Sequence, residues 1–68
     1  MFDGKKLKKF LDDNKMSMSE MARRVYVSEG AMRHIVSGIK QPSLAVATEI
    51  AVIMGCSVDD LIKRKEVK

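Results

Sequence analysis

The chain holds a single histidine, His34, and a single cysteine, Cys56. Either side chain can serve covalent or metal chemistry, but only with partners. A nucleophile needs a base within hydrogen-bond reach and a third group to orient that base. Cys56 lies in an apolar stretch, and His34 has no carboxylate at helical spacing beside it. One cysteine with one histidine makes a poor zinc site and allows no intramolecular disulfide. These residues predict no enzyme, no metal and no cofactor. Arg33 offers different chemistry. Its guanidinium is a rigid fork of donors that suits the guanine edge or a phosphate. A bidentate guanine contact is worth about 1–3 kcal/mol of discrimination. The plainer alternative for Arg33 is a solvated helix face. Glu29 could accept from the exocyclic amine of cytosine, or could simply favour a helix N-terminus, where an acid is worth about 0.3–1 kcal/mol. Gly30 presents no side chain and could allow close approach, at a cost of roughly 1 kcal/mol against alanine in a helix. His34 could touch a base or a phosphate, more strongly when protonated.

The elements that would carry these residues are legible in the stretch from Ser17 to Gly38. It reads as two short helices joined by a tight turn, each with a cap residue before it and apolar residues at helical spacing within it. Two helices at this separation have the size of a helix-turn-helix, whose second helix can enter the major groove of DNA. The unit, about 17–37, is most of a chain of 68 residues. A chain this short forms one domain with one core, and buries only about 60% of its unfolded surface. Thirteen basic residues against nine acidic ones leave a net charge of +4. That balance suits a nucleic-acid partner, since phosphate neutralisation supplies most non-specific affinity, but it equally fits an ordinary solvated surface. The lysines gather in two clusters, Lys5, Lys6, Lys8 and Lys9 near one end and Lys63, Arg64, Lys65 and Lys68 near the other.

Five helices account for the whole chain, and no stretch alternates in the manner of a strand. The first runs over about 4–14, capped by Asp3, with Leu7, Phe10 and Leu11 on one face. The second follows Ser17, where Ser17 and Glu20 have capping-box spacing; Met21, Ala22 and Val25 face inward. The third is capped by Ser28, turns Met32, Ile35 and Val36 inward, and stops at Gly38. The fourth follows Ser43 and ends at Gly55. The fifth is short, with Ser57 and Asp60 again at capping-box spacing and Val58, Leu61 and Ile62 apolar. Order is expected over about 4–63, with a fraying basic tail at 63–68. The lysine-rich start lacks the apolar core of a signal peptide, and the longest apolar run is too short to span a bilayer. The expectation is a cytoplasmic protein with no membrane association and no small-molecule ligand.

Taken in order, Gly4-Lys5-Lys6-Leu7, Ser17-x-x-Glu20-Met21-Ala22, Val27-Ser28, Gly38 with Pro42-Ser43, and Met54 through Leu61 resemble the lambda-repressor and Cro type of DNA-binding domain, often called the XRE family. The resemblance covers about 4–62. It implies an all-α, compact five-helix domain in which the second helix crosses the DNA backbone and the third lies in the major groove. By position, Ser28, Glu29, Gly30, Ala31, Arg33 and His34 would face double-stranded DNA. Ser37, Lys40 and Gln41 would fall where the following loop touches phosphate, and Arg23 and Arg24 on the second helix toward the backbone. Three departures stand out. Met18 stands where the family often has a glutamine that contacts phosphate, and Tyr26 where the turn usually has a glycine. Leu11 and Val36 stand where many members pair an arginine on the first helix with a glutamate near the end of the third. Loss of both partners of a buried ion pair is often neutral, so Leu11 and Val36 are expected to touch.

The fourth helix is apolar almost all round, and a domain this small cannot bury both of its faces. One face (Leu44, Ala47, Ile50, Ala51 and Met54) is assigned to the core. The other, with Ala45, Val46, Glu49, Val52 and Ile53, is where relatives carry polar residues. Val46, Glu49, Val52 and Ile53 are therefore the expected homodimer interface; the plainer alternative is scattered exposed apolar residues, which are normal on a surface. A two-fold dimer would set two recognition helices about 34 Å apart and call for a palindromic operator. The expected function is a sequence-specific transcriptional regulator, a Cro-like repressor of a phage, mobile element or bacterial operon, controlled by its concentration or by a partner. The alternative is an antitoxin or accessory subunit that uses the apolar face of the fourth helix to bind another protein.

Overall fold

A computed structural model describes residues 1–62 of the chain; the expected tail at 63–68, with its four cations, lies outside the described residues. Five helices follow one another: α1 (Gly4–Asp13), α2 (Met18–Arg24), α3 (Glu29–Ser37), α4 (Leu44–Met54) and α5 (Val58–Leu61). Each begins where a short oxygen-bearing side chain stands in extended backbone. Asp3, Ser17, Ser28, Ser43 and Ser57 accept from the N–H groups of Lys6, Glu20, Ala31, Val46 and Asp60 respectively. Such caps satisfy otherwise orphaned donors and contribute about 1 kcal/mol each. The box at Ser57 closes, because the Asp60 carboxylate accepts in return from the Ser57 N–H at 3.2 Å. The box expected at Ser17 does not close. The Glu20 carboxylate turns forward to Arg24, 2.9 Å away on the next turn, an i,i+4 arrangement that favours the acid on the N-terminal side.

The first four helices stop in the same way. A residue in the left-handed region follows each, and the N–H of the residue after it reaches back to close a wider loop: Met16 to the Leu11 carbonyl, Val27 to Ala22, Ile39 to His34 and Cys56 to Ala51. These are Schellman closures. Gly38 (φ 87°) and Gly55 (φ 73°) adopt the required backbone without a Cβ penalty. Lys15 (φ 52°) and Tyr26 (φ 62°) adopt it despite carrying side chains. A left-handed non-glycine residue costs roughly 1–2 kcal/mol, so these two turns store strain.

The core takes one fully buried side chain from every helix, Leu7, Met21, Met32, Ile50 and Leu61. Around them pack Leu11, Ala22, Val25, Ile35, Ala47 and Ala51. Ala22 is small enough to let α2 and α3 cross closely, and α1 lies on α3 and α5 while α4 meets α5. Leu11 is buried and Val36 half-buried against the same core. Gly4 packs closely against the end of α3. A Cβ there would overlap the carbonyl oxygen of Val36 and lie 2.9 Å from that of Ile35.

The sequence pattern did not announce the role of Phe2. It is 4% exposed and forms an isolated antiparallel bridge with Ile62. Asp3 N–H donates to the Leu61 carbonyl at 2.6 Å, Phe2 N–H donates to Gln41 Oε1 at 2.7 Å, and Lys6 Nζ donates to the Asp60 carbonyl at 2.8 Å. The start of the chain is thus stitched to α5 and to the loop after α3. Another expectation is corrected on α4. Leu44 is 75% exposed rather than in the core. It is the first residue of the helix, one turn before the stripe formed by Ala47, Ile50, Ala51 and Met54. Conversely, Val46 and Ile53 are half-buried and pack against the protein's own core.

Candidate nucleic-acid interface

The α2–turn–α3 unit presents one open surface. Met32 and Ile35 anchor α3 to the core, and the opposite side of the helix carries two adjacent ridges. One runs through Glu29, Arg33 and Ser37, the other through Gly30 and His34, each at one-turn spacing. All five residues are exposed, as are Ser28, Lys40 and Gln41, whereas Ala31 is half-buried. An ideal Cβ built on Gly30 meets nothing within 4 Å. The glycine therefore leaves bare backbone on the open face rather than relieving a clash beneath it.

Hydrogen bonds decide what each group still has to offer. Ser28 Oγ accepts from the Ala31 N–H at 3.0 Å, and its own O–H is left over as a donor. Ser37 has spent its O–H on the His34 carbonyl at 3.2 Å, so a phosphate contact through this hydroxyl requires that bond to break. The His34 carbonyl also accepts from Ile39 N–H at 2.9 Å and Lys40 N–H at 3.1 Å. This gathers the loop under the end of α3 and sets where Lys40 departs. Gln41 keeps its amide donors, but its oxygen accepts from the Phe2 N–H.

The charges sort in the same way. Lys8 and Lys9 pair with Asp12 and Asp13 along α1, and Lys6 is tied to the α5 backbone. Most of the N-terminal lysine cluster is therefore occupied within the fold. Arg24 pairs with Glu20 on α2, and Arg33 pairs with Glu29 on α3 at 2.6 Å. Lys5, Lys15, Arg23 and Lys40 make no ion pair among the described residues. Both the α3 pair and the anchoring of Gln41 went unforeseen. The pair had a signal, the i,i+4 spacing of acid and base, while Gln41 had none because its partner is remote in the chain. Met18 is half-buried and packs against the core.

A Cro/C1-type HTH DNA-binding domain model matches residues 6–66. The chain belongs to the Cro/C1-type HTH DNA-binding domain family. Among solved structures its fold is similar to the N-terminal DNA binding domain of SinR from Bacillus subtilis, with a TM-score of 0.77 and 22% identity over 94% of each chain. No curated protein matches the sequence. The all-α five-helix architecture expected from the residues is thus the architecture of this Cro/C1-type domain. The family is one of DNA-binding domains used in transcription regulation rather than of enzymes. Among the described residues, no cluster of His, Cys, Asp or Glu could hold a metal ion, and no helix is long and apolar enough to cross a membrane.

Proposed function

We propose that this Cro/C1-type domain is a sequence-specific transcriptional regulator that binds a palindromic operator as a homodimer and represses by occluding a promoter in a phage, mobile element or bacterial operon. The observation that carries this is the open face of α3, where Glu29, Gly30, Arg33 and His34 stand exposed on a helix anchored by Met32 and Ile35. In this mode α3 enters the major groove with Arg33 and His34 toward base edges and Ser28 toward a phosphate. Lys40 and the Gln41 amide flank the backbone, and Ala31 lies at the edge of the contact. The second copy docks on α4. Val52, 69% exposed, is the centre of that face, with Glu49 beside it and Val46 and Ile53 at its half-buried margin.

Selection of bound duplexes from a randomised pool, at low and moderate salt, tests the DNA mode. The expected product is an inverted repeat whose affinity falls steeply with salt, by about 0.9 in log K per log salt for every phosphate neutralised. Recovery of no motif would refute it and favour the accessory-subunit alternative, in which α4 binds another protein. Sedimentation tests the dimer. Val52→Glu removes an exposed apolar centre without touching the core and should shift the mass in solution to that of one chain; an unaltered mass refutes docking through α4.

A further inference from the structure

The ion pair on the open face of α3 has a consequence beyond which residues touch DNA. Glu29 Oε2 accepts from Arg33 Nη2 at 2.6 Å, with the two side chains 45% and 65% exposed. A carboxylate at this place faces the phosphates of an approaching duplex and, taken alone, opposes binding. Paired, it does two things. It engages one nitrogen of the guanidinium, so that the long Arg33 side chain is held along the helix rather than free to swing to either strand's backbone. It also leaves most of the fork available, because a guanidinium has five N–H donors and this bond uses one. The Nη1 donors and the second Nη2 donor still suit the two acceptors on the guanine edge. Gly30 adds open space on the same side, since no atom stands within 4 Å of where its Cβ would be. In solution such an exposed pair adds little stability, being screened. When docking removes water, the attraction strengthens and the geometry tightens.

We infer that Glu29 is a specificity-determining positioning residue, which holds Arg33 on a guanine edge and disfavours its use as a general phosphate contact. This rests on the proposed docking of α3 in the major groove. Glu29 then sacrifices affinity for every duplex in return for discrimination among them.

A double-mutant cycle on the full chain tests this, with two probes: the duplex recovered from the randomised pool and a scrambled duplex of the same composition. Glu29→Ala should bind the scrambled duplex more tightly, while the ratio of selected to scrambled affinity falls about tenfold, within the range of one guanine contact. Arg33→Ala should lower the same ratio. In the Arg33→Ala background, Glu29→Ala should still raise affinity for both duplexes but leave the ratio unchanged, because no guanidinium remains to be positioned. Unchanged discrimination in Glu29→Ala overturns the inference. An equal loss of ratio in both backgrounds overturns it too, and would mean that Glu29 reads a base directly. If Arg33→Ala keeps full discrimination, Arg33 reads no base and the inference is overturned, whereas recovery of no motif from the pool is the separate failure of the docking mode. Thermal melts of each variant ensure that the comparison is among folded proteins.

Discussion

Gly4 and Gly30 are both helical glycines, and the same substitution should act on them with opposite sign. At Gly4, a Cβ would overlap the Val36 carbonyl oxygen and lie 2.9 Å from the Ile35 oxygen and the Val36 carbonyl carbon. All three are backbone atoms at the end of α3, and the Ile35 carbonyl is already committed to the Gly38 N–H at 3.3 Å. They cannot move aside as a flexible side chain would, so the start of α1 must back away and loosen the Phe2 and Asp3 contacts beside it. Overpacking of this kind costs about 1–3 kcal/mol, and the unyielding neighbours put Gly4→Ala toward the upper end. Against this stands a helix-propensity gain of at most about 1 kcal/mol. The expected net loss is about 1–2 kcal/mol. At roughly 4–8 °C per kcal/mol for a domain of this size, the melting temperature should drop by about 5–15 °C. At Gly30 the propensity gain acts unopposed, because nothing lies within 4 Å. Gly30→Ala should raise stability by about 0.5–1 kcal/mol. Thermal and urea unfolding followed by far-ultraviolet circular dichroism would measure both. A Gly4→Ala variant as stable as the parent would refute the close approach of α1 to α3 on which the estimate depends.

Replacing buried Leu11 with Arg places an unpaired charge in the core opposite a valine-bearing helix. The expected loss is about 3–5 kcal/mol, a large part of the roughly 3–10 kcal/mol available to such a domain. Adding Val36→Glu should restore part of it, and a thermal melt showing no loss for Leu11→Arg alone would rule out the packing. Tyr26→Gly should relieve the left-handed strain at φ 62° and raise the urea midpoint. Part of the roughly 1–2 kcal/mol of relief is offset by the freer unfolded chain, and a lowered midpoint would mean that the exposed ring contributes something the fold needs. Hydrogen bonds from the Ser57 backbone, then the Ser57 hydroxyl, and then the charge of Lys6 hold the Asp60 carboxyl below its ordinary value of 3.8. A depressed carboxyl stabilises the fold above that ordinary value and loses its effect as pH falls through the folded one. Asp60→Ala should therefore melt below the parent at pH 7, and the gap should close as pH drops below about 4; a constant gap down to pH 2 would exclude the capping carboxylate as its source.

The helices, their caps and two of their stops were legible in the chain because each depends on neighbours in sequence. Asp3 and four serines cap N–H groups three residues on, and Gly38 and Gly55 close helices through bonds spanning a single turn. Apolar spacing likewise placed Leu7, Met21, Met32, Ile50 and Leu61 in the core, since a helical period of 3.6 residues chooses a face without reference to any partner. Tertiary structure decided whatever required two distant segments to meet. Phe2 became core, and Gln41 an anchor, only because the start of the chain reaches α5 and the loop after α3. On α4, apolar almost all round, periodicity had no contrast to work with. Packing alone sent Leu44 outward and drew Val46 and Ile53 partly in. Glu20 and Glu29 lie between these cases. Glu20 had the spacing to bond back to the Ser17 N–H or forward to Arg24, and Glu29 stood both at a helix N-terminus and one turn before Arg33; both carboxylates turn forward to an arginine one turn on.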